Sequence, residues 1–446
     1  MMIAGVLIYL CVLAVVAVRQ LHRTQTGEAF FAAGRALPAP VLASTLLAAW
    51  IGAGSLFAGA GLGYRVGVAA LWLSAGAWAG IAVVWHLAPR VRALTQLTVP
   101  AIFQVHYGRP ARLLSAITIV VAYTAIAAFQ FAAGGRLLAF VAGVEPGTGT
   151  LVTALTCIGL AAVAGLRSVA WADTVNAAAV IAGFGTAAAY LAGLDGAGFA
   201  RVRAEQLTVF GTINPVTAVA LFVPVLVLLL GDAGMYQKLA AARDEGGARR
   251  AVGMWLAAMI AVDVLVIAVA VLGSAAVPML DAADTIVLHV ALEVLPALPG
   301  LLLLWGATAI ILSAATTFLL AAATCAVHEL APGVAAGLEG DRAVWPARYA
   351  IASLGIAGLA LVQLFPEILA MALWAFTMYG AVITPPLMAA FFWPRITARG
   401  AVAGMLAGMA ATVAVQAFQP AIPAIFPALL LSVSAMTAFS FGISDT

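Results

Sequence analysis

The chain has 446 residues, of which 65% are hydrophobic and 8% charged, with a formal net charge of +3. A soluble domain carries about 25% charged residues, so a soluble globular protein is excluded. The apolar runs are long and continuous, which also excludes a transmembrane barrel with its period-two alternation. What remains is an all-α polytopic membrane protein.

A helix that crosses roughly 30 Å of hydrocarbon needs about 20 mostly apolar residues. By that measure thirteen segments are predicted, near 2–18, 38–63, 67–88, 112–140, 149–166, 170–193, 214–235, 250–274, 298–328, 346–363, 368–393, 400–417 and 421–441. The first run has its charges after it, from Arg19, and reads as a retained helix rather than a secretory signal. Cys11, Cys157 and Cys325 are scattered through apolar segments and read as small buried side chains. Basic residues fix the orientation. With the N-terminus outside, sixteen of the 20 basic residues fall in cytoplasmic loops, Lys238 among them, while only Arg65, Arg201 and Arg203 face outward. The C-terminus is then cytoplasmic. Gln130 is read as an interhelical hydrogen-bonding group, and 281–296, with Asp281, Asp284, His289 and Glu293, as an amphipathic external helix. No phosphate-binding loop occurs in a strand–loop–helix context, and no attached cytosolic module is expected.

Two apolar segments are interrupted. Residues 45–64 read TLLAAWIGAGSLFAGAGLGY, with five glycines between Gly52 and Gly63. Residues 309–320 read AIILSAATTFLL and carry Ser313, Thr316 and Thr317. Irregular backbone at membrane depth is tolerated where protein, water or a ligand meets the freed carbonyls, and broken helices of this kind hold ions and solute in secondary transporters. For Thr316 and Thr317 an intrahelical bond to a preceding carbonyl is the plain alternative.

Five stretches carry a resemblance when taken in order: FFAAGRALP at 30–38, AAWIGAGSLFAGAGLGY at 48–64, GLRSVAWAD at 165–173, YQKLAAARDEGGARR at 236–250, and YGAVITPPLMAAFFWPRITARGAVAGM at 379–405. Together with thirteen spans they resemble the sodium/solute symporter family over essentially the whole chain. The resemblance implies a single transporter domain with two inverted five-helix repeats, 38–193 and 214–393, and peripheral helices in 1–37 and 394–446. It implies a discontinuous first helix in each repeat, which the glycines support in the first and Pro224, Gly231 and Gly234 in the second.

The resemblance also implies a cation site formed by the carbonyls of Ala48, Ile51 and Ile310 and the hydroxyl of Ser313. Ala314 departs from the family pattern, which has a second hydroxyl there. Asp173 lies on the cation path by resemblance; a helix N-cap is the other reading. Asp232 is either a site carboxylate or an interface residue paired with Lys238 or an arginine. Trp50, Ser55, Trp72, Phe222, Trp374 and Tyr379 are expected at the solute site, with Trp78 and Thr377 nearby. Many aromatics and few polar groups suit an amine more than a sugar. The expected function is sodium-coupled uptake of a small organic solute across the inner membrane by alternating access. Sodium is the coupling ion, with no other cofactor, no enzyme activity and no nucleic-acid partner. Because of Ala314, a proton-coupled or facilitative transporter stays open, as does a transporter-like solute sensor.

Overall fold

In hydrocarbon a backbone N–H or C=O has no water to bond, so long apolar runs close their hydrogen bonds within helices. The computed structural model, which describes residues 2–20, 33–94, 98–193, 202–335, 344–364, 368–418 and 423–441, bears this out. Its helices are α1 (Met2–Gln20), α2 (Ala39–Trp50), α3 (Ala60–Val66), α4 (Leu71–Ala93), α5 (Val99–Ala142), α6 (Pro146–Gly193), α7 (Pro215–Gly231), α8 (Ala233–Ala240), α9 (Glu245–Ala276), α10 (Ala297–Cys325), α11 (Trp345–Leu364), α12 (Ile368–Phe392), α13 (Ala398–Phe418) and α14 (Ile425–Phe441). Among the described residues, nine helical stretches are long and apolar enough to cross a membrane, or ten when the bent pair α7–α8 counts as one. Shorter apolar helices at Met2–Leu13, Ala39–Trp50 and Ile425–Phe441 lie where the sequence places further segments.

Two boundaries differ from the sequence reading. Helix α5 starts at Val99 rather than near 112 and runs through a kink at Gly108. The connection expected between 166 and 170 is a one-residue break at Gly165, with φ 56° and ψ 178°, a conformation that glycine adopts at no steric cost. The helix resumes at once, so Asp173 lies inside it and not at a cap.

Helix α10 forms the core. Of its most apolar stretch 89% is buried inside the protein, so it faces other helices and not lipid. It packs against α6, α5, α2 and α11, while α4 packs against α7 and α9, and α12 against α5, α7 and α13. The 281–296 segment is helical over 283–294, with Asp281 and Glu293 exposed. Its other face is packed against the bundle: it buries Ile286, Val287, Leu288, Val290 and Ala291, and it sits so close to α3 that a Cβ at Gly61 would stand 2.8 Å from Asp284 Cα. Asp284 also pairs with Arg136 of α5 at 3.1 Å.

The described part of the 30–38 motif meets the 236–250 motif. The Leu37 N–H donates to the Ala241 carbonyl at 3.1 Å, and the Arg243 N–H donates to the Leu37 carbonyl at 3.2 Å. Arg92 of α4 caps the same strap by donating to Ala242 O at 2.6 Å.

Candidate functional site

Helix α2 ends where its backbone turns extended at Ile51 (φ −82°, ψ 100°). The chain resumes as a π-turn over Gly54–Gly59 before α3. The N–H of Ala53, freed by the break, donates to the Gln130 side-chain oxygen at 2.8 Å. Gln130 is thus more than an interhelical contact: it caps the break. It can approach because residue 52 is glycine; a Cβ there would stand 2.5 Å from Gln130 Nε2 and 3.4 Å from the Ala314 methyl. Ala314, the departure from the family pattern, therefore packs against the break. Gly52→Val should push Gln130 away and cost about 1–3 kcal/mol for the orphaned N–H. Gly54→Ala, where a Cβ meets nothing within 4 Å, should stay within about 0.5 kcal/mol of the parent. Thermal unfolding of the two purified variants compares them directly.

The second break falls at Asp232, between α7 and α8, which are bent by 41°. Of the residues expected to support it, Pro224 lies inside α7, while Gly231 and Gly234 flank Asp232 at the break. Asp232 caps α8, its Oδ1 accepting from the Gly234 N–H at 2.9 Å. Tyr379 of α12 spans the break, donating to Gly231 O at 2.5 Å and accepting from the Ala233 N–H at 2.8 Å. Tyr123 of α5 donates to Asp232 Oδ1 and accepts from the Gly234 N–H at 3.1 Å. The two tyrosine rings stack with centroids 5.1 Å apart. Across the bundle, Trp50 Nε1 donates to Asp232 Oδ2 at 2.8 Å, joining the last residue of α2 to the second break. Asp232 is 5% exposed, and no arginine or lysine is paired with it among the described ion pairs. The interface reading is thereby overturned.

A second buried carboxylate lies on α6. Asp173 accepts from Thr45 Oγ1 of α2 at 2.5 Å, from Ser313 Oγ of α10, and from Asn176 Nδ2 at 3.4 Å. Tyr9 of α1 in turn donates to Asn176 Oδ1 at 2.6 Å. Lys238 of α8 stands 3.9 Å from Asp173 Oδ2, and its ammonium donates to Thr45 O at 2.7 Å and to Thr317 Oγ1 at 3.2 Å. Lys238, counted as a loop charge from the sequence, is 2% exposed within α8. Thr316 bonds back to Leu312 O and Ser313 O as expected, whereas Thr317 accepts from Lys238. A small cavity beside this cluster is lined by Leu13, Ser168, Asp173, Asn176 and Thr316, and the buried Ser168 hydroxyl has no hydrogen-bond partner among the described residues.

The four expected cation ligands are all buried: Ala48 and Ile51 at the end of α2, and Ile310 and Ser313 one turn apart on α10, which packs against α2. The Ser313 hydroxyl is engaged by Asp173. Of the expected solute residues, Trp50 and Tyr379 converge on the Asp232 break, and Ser55 lies in the adjoining π-turn. Trp72 and Phe222 form a different cluster: Trp72 donates to Val209 O at 3.1 Å, stacks on Phe210, and meets Phe222 edge-on. Trp78 instead donates to Asp263 of α9. Trp374 is partly buried in α12, five residues before Tyr379. Sequence reasoning missed Tyr123 and the capping role of Gln130. Their signal was present, since polar residues seven apart share one face of a helix.

Two facing helix breaks around buried carboxylates, within a bundle of membrane-length helices, define a secondary transporter of the broken-helix type. The chain belongs to the sodium:solute symporter family, whose model matches residues 30–408. It is similar to the sodium/pantothenate symporter of Escherichia coli (strain K12), with 24% identity over 95% of this chain and 93% of that protein. Among solved structures it resembles a Na+-coupled sialic acid symporter in a substrate-bound outward-open state, with a TM-score of 0.83, 14% identity, and coverage of 99% of this chain and 98% of that one. It also resembles MhsT in complex with L-phenylalanine, with a TM-score of 0.55, 12% identity, and coverage of 90% and 97%.

Proposed function

We propose that the protein carries a small organic solute and sodium together into the cell by alternating access, with the solute seated between the two helix breaks. The observation that carries this reading is the hydrogen bond from Trp50 to Asp232, which ties the breaks together at 2.8 Å. A ligand entering between them meets a carboxylate, an indole and two phenols, a set that favours an amine-bearing solute through charge and cation–π attraction. Trp50, Ser55, Trp374 and Tyr379 are its proposed neighbours with Asp232; Trp72 and Phe222 belong to the separate cluster with Phe210.

The coupling ion is assigned to the carbonyls of Ala48, Ile51 and Ile310 and the Ser313 hydroxyl, with Asp173 on its path. Carbonyls of a broken helix supply oxygen ligands without further buried charge. One charge moving down about 100 mV releases ~2.3 kcal/mol, enough for about fifty-fold accumulation of a neutral solute. The inverted repeats are assigned to 38–193 and 214–393. The N-terminus is assigned to the outside of the inner membrane and the C-terminus to the cytoplasm, on the clustering of arginines in alternate loops.

The test is uptake of radiolabelled choline and pantothenate into proteoliposomes under an inward sodium gradient or an equal potassium gradient. Choline accumulation under sodium alone fits the reading; accumulation of pantothenate and not choline contradicts the amine preference, and equal accumulation under potassium contradicts sodium coupling. Ser313→Ala should raise the sodium concentration for half-maximal effect, and an unchanged value would remove Ser313 from the ion site.

A further inference from the structure

We propose that Lys238 is a tethered cation that neutralises Asp173 when the coupling ion is absent, so that sodium must displace its ammonium to bind. The proposal rests on the sodium-coupling reading above and adds a competitor inside the protein. The ammonium lies in an oxygen cage: a carbonyl of α2 (Thr45, 2.7 Å), a hydroxyl of α10 (Thr317, 3.2 Å) and a carboxylate of α6 (Asp173, 3.9 Å). Carbonyl, hydroxyl and carboxylate are the same classes of oxygen that hold a sodium ion.

The position is equally informative. Thr45 lies three residues before Ala48 on α2, and Thr317 lies four residues after Ser313 on α10. The cage therefore sits about one helical turn, roughly 5 Å, from the assigned sodium ligands along the same α2–α10 seam. Asp173 links the two levels, since its Oδ1 takes the Ser313 hydroxyl while its Oδ2 faces Thr45 and Lys238. A cation between Ser313 and Asp173 competes with the ammonium for one carboxylate.

The charge count points the same way. Asp173 and Asp232 are both buried around the breaks, and Lys238 is the one buried lysine or arginine among the described residues. One ammonium leaves a net negative charge that an arriving cation would neutralise.

The experiment uses the purified full-length chain. Thermal unfolding is followed as sodium replaces potassium at fixed ionic strength, for the parent, Lys238→Met and Lys238→Arg. Competition of this kind is a coupling between two cations, and the sodium concentration for half-maximal stabilisation should fall by about five-fold or more in Lys238→Met. Lys238→Arg, which keeps the tethered charge, should stay close to the parent. An unchanged or raised half-maximal concentration in Lys238→Met overturns the proposal alone. No sodium response in either the parent or Lys238→Met overturns it together with the sodium-coupling reading. If Lys238→Met does not fold, Thr317→Val loosens the seat of the ammonium and should give a smaller shift in the same direction; no shift, or a shift to higher sodium, overturns the proposal.

Discussion

Asp173→Ala is expected to destabilise the protein by about 3–5 kcal/mol, because it leaves the Lys238 ammonium buried without its carboxylate. Lys238 is 2% exposed and its remaining partners, Thr45 O and Thr317 Oγ1, are uncharged. Asp173 is also the acceptor for Thr45, Ser313 and Asn176, so the substitution frees three polar side chains on three helices or turns of the core. Adding Lys238→Met to Asp173→Ala removes the orphaned charge and should recover much of the loss, since an apolar replacement of both partners is often near neutral. Thermal unfolding of the two single variants and the double variant forms a double-mutant cycle. Strict additivity would contradict a charge interaction between these residues.

Asp232→Ala should be comparably severe for a different reason. It strands two donors at once, Trp50 Nε1 and the Tyr123 hydroxyl, and leaves the Gly234 N–H with Tyr123 as its one acceptor. Each unsatisfied buried donor costs about 1–3 kcal/mol, so a loss of about 2–6 kcal/mol is expected. Asp232→Asn keeps an acceptor oxygen and the shape of the cap while removing the charge. It should fold with a smaller loss, about 1–3 kcal/mol, and should fail to accumulate solute under a sodium gradient. Unfolding midpoints and proteoliposome uptake on the same preparations separate the two effects. An Asp232→Asn variant that transports like the parent would make the carboxylate a backbone cap and nothing more.

These carboxylates mark where the sequence was legible and where it was not. The first break could be read from five glycines in twelve positions, because no regular apolar helix is built that way. The second could be read in part: Gly231 and Gly234 flank the break at Asp232, whereas α7 runs through Pro224. Gly231–Asp232–Ala233–Gly234 sets a short polar cap between two helical runs. Asp173 looked like a cap because it falls near the start of the span read at 170–193, whereas the helix restarts right after Gly165 and places Asp173 about two turns inside. Lys238 looked like a loop charge because arginines follow it closely. Its burial depends on Thr45, Thr317 and Asp173, which lie 193, 79 and 65 positions away in the chain. Partners at such separations follow from the packing of the bundle and leave no periodicity to read. For the same reason the pairing of Tyr123 with Asp232, 109 residues apart, was invisible, although the polar face of α5 that carries it was not.

Sodium binding at the first break is the claim on which the account stands, and one measurement addresses it directly. The purified parent protein is unfolded by heat in increasing sodium, with potassium holding the ionic strength constant. A ligand that binds only the folded state raises the midpoint in a saturable way. Sodium binding at this site should give a saturable, sodium-specific rise that Ser313→Ala shifts to higher concentration. Identical midpoints in sodium and potassium across the whole range would contradict it.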